Sequence, residues 1–122
     1  MGRCGCVCVC VCARVLQLWI SDPCHGNTES TGEGCKFRNV ERMVDELSRV
    51  FCVHAQHGSR LGGVHLELTG DNVTECTGGS AGLGIADLAT NYQSVCDPRL
   101  NYTQSLDLAF AIADLFETHG PQ

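Results

Sequence analysis

The alternation of apolar and polar residues predicts three short strands, at residues 15–21, 62–68 and 94–96. In the second strand, valine and leucine occupy alternate positions, and His65 and Glu67 lie between them. This alternation fits a strand whose apolar side packs on helices and whose polar side points into a site. It fits equally well an antiparallel strand whose polar side faces water. The stretch alone does not separate the two structures.

Helical periodicity is clearest over residues 39–56, where apolar residues recur at intervals of three and four. Asn39 is suited to cap this helix, and Gly58 is suited to end it. The pattern also predicts one or two helical turns at residues 85–92.

A last helix is predicted over residues 103–118, with Thr103 or Asn101 as its cap and Gly120-Pro121 as its end. We expect its buried face to consist of Leu106, Ala109, Phe110, Ala113 and Leu115 or Phe116.

The resulting order of strands and helices predicts an α/β fold with parallel strands and right-handed crossovers. In such a fold the carboxyl ends of the strands meet on one face. Those ends carry His25, Glu67 and Asp97. One imidazole and two carboxylates could bind a divalent cation and suit manganese, iron or cobalt better than a structural zinc. The alternative is that each side chain faces solvent or caps a turn.

Composition excludes several classes of function. The chain has 122 residues and a formal net charge of -6, and its eight lysines and arginines form no basic patch. This argues against nucleic-acid binding. No apolar run is long enough to span a membrane.

Cysteine is the unusual residue, with ten copies, half of them in the first twelve positions. There they alternate with valine, and we expect residues 1–14 to be a low-complexity segment outside the fold and residues 15–122 to form the domain. The alternative is a small secreted, cysteine-rich binding protein without catalysis. A weak imitation of a signal peptide and glycosylation sequons at Asn72 and Asn101 favour it, but the apolar run lacks the leucines typical of signal peptides.

Several stretches point to a known family when they are taken together. They are DPCHGNT at 22–28, GGVHLELTG at 62–70, NVTEC at 72–76 and CDPRLN at 96–101, followed by QSLDLAF at 104–110. In order and spacing, they resemble the C-terminal end of class II DAHP synthases. These are the plant and bacterial 3-deoxy-7-phosphoheptulonate synthases of the shikimate pathway. The resemblance extends over about residues 16–117.

The resemblance implies the C-terminal portion, about three βα units, of a (β/α)8 TIM barrel, because a whole barrel takes roughly 250 residues. It implies that His25, Glu67 and Asp97 bind a divalent metal, preferably manganese, with cobalt or iron as alternatives. The family's fourth ligand is a cysteine near the first barrel strand, and no cysteine here matches it. Cys76 and Cys96 are expected to be buried structural thiols instead.

The resemblance also implies a function. Such enzymes are transferases that condense phosphoenolpyruvate with erythrose 4-phosphate, the first step of aromatic amino acid biosynthesis. Lys36 and Arg38 match a basic pair that could contact a phosphate, although a solvent-facing role fits them as well. We expect this chain to be a fragment that is inactive alone. Full-length members are expected to be intracellular homo-oligomers, cytoplasmic or plastid, with no nucleic-acid or membrane partner.

Overall fold

The computed structural model describes residues 6–11 and 16–119. Its elements, in chain order, are the following: β1 Cys6–Val11, β2 Leu16–Ser21, a 3-10 turn His25–Asn27, β3 Glu29–Ser30, β4 Lys36–Asn39, α1 Val40–Gln56, β5 Leu61–Val64, β6 Cys76–Thr77, a 3-10 helix Ile85–Thr90 and α2 Tyr102–His119.

The larger sheet has the strand order β1-β2-β5, and β2 and β5 run parallel. The predicted parallel pairing is therefore confirmed for these two strands, which are connected through α1. Beyond β5 the parallel arrangement continues as a single bridge between Leu68 and Leu100. Leu100 N–H donates to the Glu67 carbonyl at 3.0 Å, and Thr69 N–H donates to the Leu100 carbonyl at 2.9 Å. Three successive chain segments thus lie side by side.

The outer edge of this sheet comes from the valine and cysteine repeat, which we expected to lie outside the fold. Six of its residues form β1, which pairs antiparallel with β2 from Cys6 opposite Ser21 to Val11 opposite Leu16. The rest of residues 1–14 falls outside the described residues.

Two of the predicted strands differ from the structure. The strand predicted at 62–68 begins at Leu61 and ends at Val64. Residues 94–96 do not form a strand; residues 95–97 form a bend, and Val95 is fully exposed. The N–H groups of Gln93 and Ser94 donate to the buried side chain of Glu75, and Cys96 N–H donates to Ser94 Oγ, so these amides do not pair with a neighbouring strand.

A second, smaller sheet was not predicted. Its order is β3-β4-β6, with β4 antiparallel to β3 and parallel to β6. β4 has the sequence KFRN, in which Phe37 and Arg38 are both buried. The usual alternation of buried apolar and exposed polar residues is therefore absent from β4. Its buried polar residue is Arg38, whose hydrogen bonds go to residues outside the strand.

α1 matches its prediction at both ends. The Asn39 side chain accepts a hydrogen bond from Arg42 N–H at 3.0 Å, which caps the first turn. Gly58 follows the last turn with φ of +63°, a left-handed conformation that glycine adopts without strain. The predicted face of α1 is confirmed as its buried side: Val40, Met43, Leu47, Val50 and Phe51.

α2 begins as predicted but presents a different side to the core. Asn101 Oδ1 accepts from Gln104 N–H at 2.9 Å, so Asn101 is the cap. The predicted buried face is wrong for Leu106, Ala109, Phe110 and Ala113, which are exposed, whereas Leu115 and Phe116 pack against the core as predicted. Gln104 and Leu108 are the fully buried residues of the helix. Gln104 Nε2 donates to the Cys76 carbonyl at 2.9 Å, and this bond fixes which side of the helix faces inward. The predicted end at Gly120-Pro121 lies outside the described residues.

The core consists of two clusters that α1 and α2 share. Cys24, Met43, Leu100 and Leu108 belong to the first, which lies beneath the strand ends. Phe51 centres the second, where its ring meets that of Phe116 edge to face at 4.8 Å. Burying each large apolar side chain contributes roughly 1.5–3 kcal/mol.

The 3-10 helix Ile85–Thr90 confirms the short helix predicted there. In the described part of the chain, neither helix is long and apolar enough to cross a membrane.

Candidate metal centre

The three predicted ligands come together at one end of the larger sheet. His25 lies in the 3-10 turn after β2, Glu67 lies just beyond β5, and Asp97 lies in the bend that precedes Leu100. Each offers one potential ligand atom, and these atoms all lie within 4.8 Å of one another. Among the described residues, this is the one group of three or more potential metal-binding side chains.

The spacing of these atoms fits one bound cation. Two ligand atoms held about 2.1 Å from the same ion are about 3.0 Å apart at a right angle and about 4.2 Å apart on opposite sides. His25 Nε2 and Glu67 Oε1 are 3.3 Å apart, which is within this range. The 4.8 Å limit for the group exceeds the larger of the two distances expected around one ion by about 0.6 Å. Small side-chain rotations would have to close that difference around a bound ion.

Asp22 orients the histidine. His25 Nδ1 lies 2.6 Å from Asp22 Oδ2, while Asp22 Oδ1 accepts from the backbone N–H groups of Cys24 and His25. A proton on Nδ1 leaves the lone pair of Nε2 free for a metal, as in many carboxylate–histidine–metal sites. Burial raises the pKa of Asp22, but the hydrogen bonds from His25 and Cys24 outweigh burial and hold it below its usual value. The sequence prediction missed Asp22, although its place three residues before the histidine was a usable signal.

Arg38 joins Glu67 to the residue that follows Asp97. Its side chain is 1% exposed and pairs with Glu67 through Nη1, which also donates to the Pro98 carbonyl at 2.6 Å. Its Nε donates to Thr28 Oγ1 at 2.9 Å. The solvent-facing alternative is therefore wrong for Arg38. Its remaining nitrogen, Nη2, is buried and has no partner within the described residues.

Lys36 lies on the open side of the cluster. Its Nζ is 3.0 Å from Asp97 Oδ1, and half of the side chain is exposed. The hydrogen bond from Lys36 holds the pKa of Asp97 below its usual value, so Asp97 is a carboxylate at neutral pH. His65, at the same end of the sheet, stacks beside His25 with ring centroids 6.3 Å apart.

The cysteines take no part in the cluster. Cys24 is buried, and its Sγ accepts from Glu67 N–H at 3.4 Å, which helps to fix the backbone at Glu67. Burial raises the pKa of Cys76 to about 12, so this thiol stays protonated and is a poor metal ligand. Cys76 is buried as expected, whereas Cys96 is exposed, contrary to expectation. All five cysteines with described side chains are free thiols, which does not favour a secreted disulfide framework.

Comparison with known proteins agrees with the family suggested by the sequence motifs. The model of the Class-II DAHP synthetase family matches residues 10–113. The chain belongs to this family. The match includes all three residues of the cluster, as well as Lys36 and Arg38.

Three relatives illustrate the similarity, and each is named phospho-2-dehydro-3-deoxyheptonate aldolase. The one from Neurospora crassa is 55% identical over 97 residues, which is 80% of this chain and 20% of the relative. The one from Mycolicibacterium smegmatis is 49% identical over 98 residues, 80% of this chain and 21% of the relative. The one from Streptomyces lividans is 48% identical over 98 residues, 80% of this chain and 67% of the relative. The chain therefore spans about a fifth of the length of the first two relatives. Its mixed α/β structure is consistent with part of a barrel enzyme.

Proposed function

We propose that the chain supplies most of the metal site of a class II 3-deoxy-7-phosphoheptulonate synthase. Such an enzyme condenses phosphoenolpyruvate with erythrose 4-phosphate in the first step of the shikimate pathway. One observation carries the proposal: His25, Glu67 and Asp97 come from three separate loops of the sheet, yet their potential ligand atoms lie within 4.8 Å of one another. Because the chain belongs to the class II DAHP synthetase family, we interpret this group of side chains as part of that enzyme's metal site.

The donor set favours manganese, with cobalt or iron as alternatives. One imidazole nitrogen and two carboxylate oxygens are harder ligands than the thiolates of structural zinc sites. A cation held there would act as a Lewis acid on the aldehyde oxygen of erythrose 4-phosphate. Around it, Asp22 fixes the histidine, Arg38 fixes Glu67, and Lys36 contacts Asp97.

The local charge suits phosphorylated substrates once a divalent cation is present. The three carboxylates at the site are those of Asp22, Glu67 and Asp97, and the two cationic side chains are those of Lys36 and Arg38. With His25 neutral, this leaves one formal negative charge, and a divalent cation changes it to one positive charge. A site of positive potential attracts anions and raises their local concentration. Lys36, being half exposed, is the better candidate for direct contact with a phosphate.

We further propose that the chain forms the last three βα units of a (β/α)8 barrel. The larger sheet has parallel neighbours in β2 and β5, and the bridge at Leu100 extends them. The exposed apolar side of α2, at Leu106 and Phe110, would then be covered by other parts of such a barrel. The free thiols support an intracellular location, in the cytoplasm or a plastid.

Phosphorus NMR of erythrose 4-phosphate tests this proposal. The chain loaded with Mn²⁺ is expected to broaden the ³¹P resonance well beyond the broadening caused by the same free Mn²⁺ concentration, since the phosphate would lie close to the paramagnetic ion. Lys36→Met should reduce this broadening because it removes the exposed cation. Arg49→Met, at an exposed position of α1, is the matched control and should leave the broadening unchanged.

The same spectra report catalysis. With phosphoenolpyruvate added, we expect no inorganic phosphate resonance, because the chain spans only about a fifth of the length of the first two relatives. Broadening equal to that of free Mn²⁺ would contradict substrate binding at the cluster. A growing inorganic phosphate resonance would contradict the inactivity of this chain by itself.

A further inference from the structure

Glu75 is a fully buried carboxylate outside the metal cluster. It lies just before β6 and is 0% exposed. Burying a carboxylate is costly unless its oxygens are fully hydrogen-bonded and a cation compensates its charge. Both conditions are met, because Arg99 pairs with Glu75 at 2.8 Å and the neighbouring backbone supplies further donors.

All the hydrogen bonds that the Glu75 side chain accepts come from one short segment, residues 93–99. Oε1 accepts from the backbone N–H groups of Gln93 at 3.1 Å and Ser94 at 2.8 Å, and from Arg99 Nη2 at 2.8 Å. Oε2 accepts from Arg99 N–H at 2.7 Å and from Arg99 Nε at 3.1 Å. A single side chain thus holds both ends of the segment.

Asp97 lies inside the segment that Glu75 holds. The segment has no strand or helix of its own, and Val95 at its tip is fully exposed. Within it, Ser94 Oγ donates to the Asp97 carbonyl at 2.6 Å, and Cys96 N–H donates to Ser94 Oγ at 3.3 Å. The hydrogen bonds of Glu75 therefore connect to Asp97 through Ser94, and they also fix Arg99, two residues after Asp97.

We propose that Glu75 is a positioning residue for the metal site, which sets the place of Asp97 by fixing both ends of residues 93–99. The inference rests on the proposed function, because it assumes that Asp97 binds the cation. A ligand on irregular backbone must be held in place before binding, otherwise binding has to offset the cost of ordering the segment. This requirement explains why a fully buried carboxylate, Glu75, lies beside an exposed loop.

Glu75→Gln tests the inference with little change in shape. The amide offers one acceptor oxygen in place of two and turns an N–H₂ group toward the donors of Arg99, Gln93 and Ser94. We expect Mn²⁺ affinity to fall by about 10- to 100-fold, the usual effect of disturbing a group that orients a metal ligand. Titrations by Mn²⁺ electron paramagnetic resonance at 10 °C would measure this, with folding checked by circular dichroism.

The visible spectrum of bound Co²⁺ separates positioning from mere stability. If Glu75 sets the place of Asp97, the d–d bands of Glu75→Gln should shift, whereas a role in stability alone would leave them unchanged at a temperature where the variant is folded. Glu117→Gln, at an exposed position of α2, is the matched control and should match the parent chain in both measurements.

Ser94→Ala keeps the inference testable if Glu75→Gln does not fold. It removes the hydroxyl that donates to the Asp97 carbonyl and accepts from Cys96 N–H, and it should weaken Mn²⁺ binding in the same direction but by less. If Glu75→Gln is folded and its Mn²⁺ affinity and Co²⁺ spectrum are unchanged, the inference is overturned. If Glu75→Gln is unfolded, an unchanged Ser94→Ala overturns it. If the parent chain does not bind Mn²⁺, the proposed metal site is contradicted, rather than only the role of Glu75.

Discussion

Asp97→Asn is expected to weaken Mn²⁺ binding by about 100-fold or more, a larger effect than the loss of a group that only orients a ligand. The substitution keeps the shape of the side chain but replaces an anionic ligand with a neutral amide. The fold should be little affected, since Asp97 is partly exposed and its partner Lys36 is half exposed. Exposed pairs of this kind contribute about 0–1 kcal/mol. Isothermal titration with Mn²⁺ and thermal unfolding, measured on the same sample, would separate the two effects.

Asp114→Asn is the control for this experiment, because Asp114 is an exposed residue of α2 and undergoes the same chemical change. It should bind Mn²⁺ like the parent chain. If Asp97→Asn binds as tightly as Asp114→Asn does, Asp97 is not a ligand.

Arg38→Met is expected to lower the free energy of unfolding by about 3 kcal/mol, the lower end of the range for removing one partner of a buried ion pair, because Arg38 is 1% exposed but Glu67 is 28% exposed. Methionine retains an unbranched apolar stem but cannot donate a hydrogen bond. Glu67 would lose its cationic partner, and the Pro98 carbonyl and Thr28 hydroxyl would lose their donor. Urea denaturation followed by circular dichroism would measure the loss.

Arg42→Met is the matched control for Arg38→Met. Arg42 also pairs with a glutamate, Glu29, but its side chain is 62% exposed. We expect its replacement to cost about 0–1 kcal/mol. An equal and small cost for both variants would show that Arg38 is not the buried link between Glu67 and the segment at Pro98.

The sequence was informative where a local pattern determines the structure. The spacing of apolar residues identified α1 and its buried face, and Asn39 and Gly58 identified its ends. The family motifs identified His25, Glu67 and Asp97 as a group, and the structure brings their potential ligand atoms within 4.8 Å of one another. Periodicity alone left each of these three residues open to a solvent-facing role.

The sequence was misleading where tertiary hydrogen bonds determine the structure. The apolar residues of α2 predicted a buried face that includes Leu106 and Phe110. The buried side instead contains Gln104, whose amide is satisfied by the Cys76 carbonyl. In the same way, residues 94–96 do not form a strand, because Gln93 and Ser94 N–H donate to the Glu75 side chain and Cys96 N–H donates to Ser94 Oγ. Neither partner is close in sequence, so a local pattern could not reveal them.

The supporting residues of the site were also beyond a local pattern. Arg38 was noted as a basic residue in a loop, but its burial between Glu67 and Pro98 depends on segments 29 and 60 positions away. Asp22 entered the sequence analysis only as the first residue of the motif DPCHGNT at 22–28. A search for a carboxylate near each candidate histidine would have found it, because a metal-binding imidazole usually donates its other N–H to such a group.

Crystals grown with Mn²⁺, measured at the manganese absorption edge, would test the central claim most directly. The claim is that His25, Glu67 and Asp97 bind one divalent cation. It predicts a single strong anomalous peak about 2.0–2.4 Å from His25 Nε2 and from a carboxylate oxygen of each of the other two residues. No peak between these three side chains, with manganese bound only at other carboxylates or histidines, would contradict it.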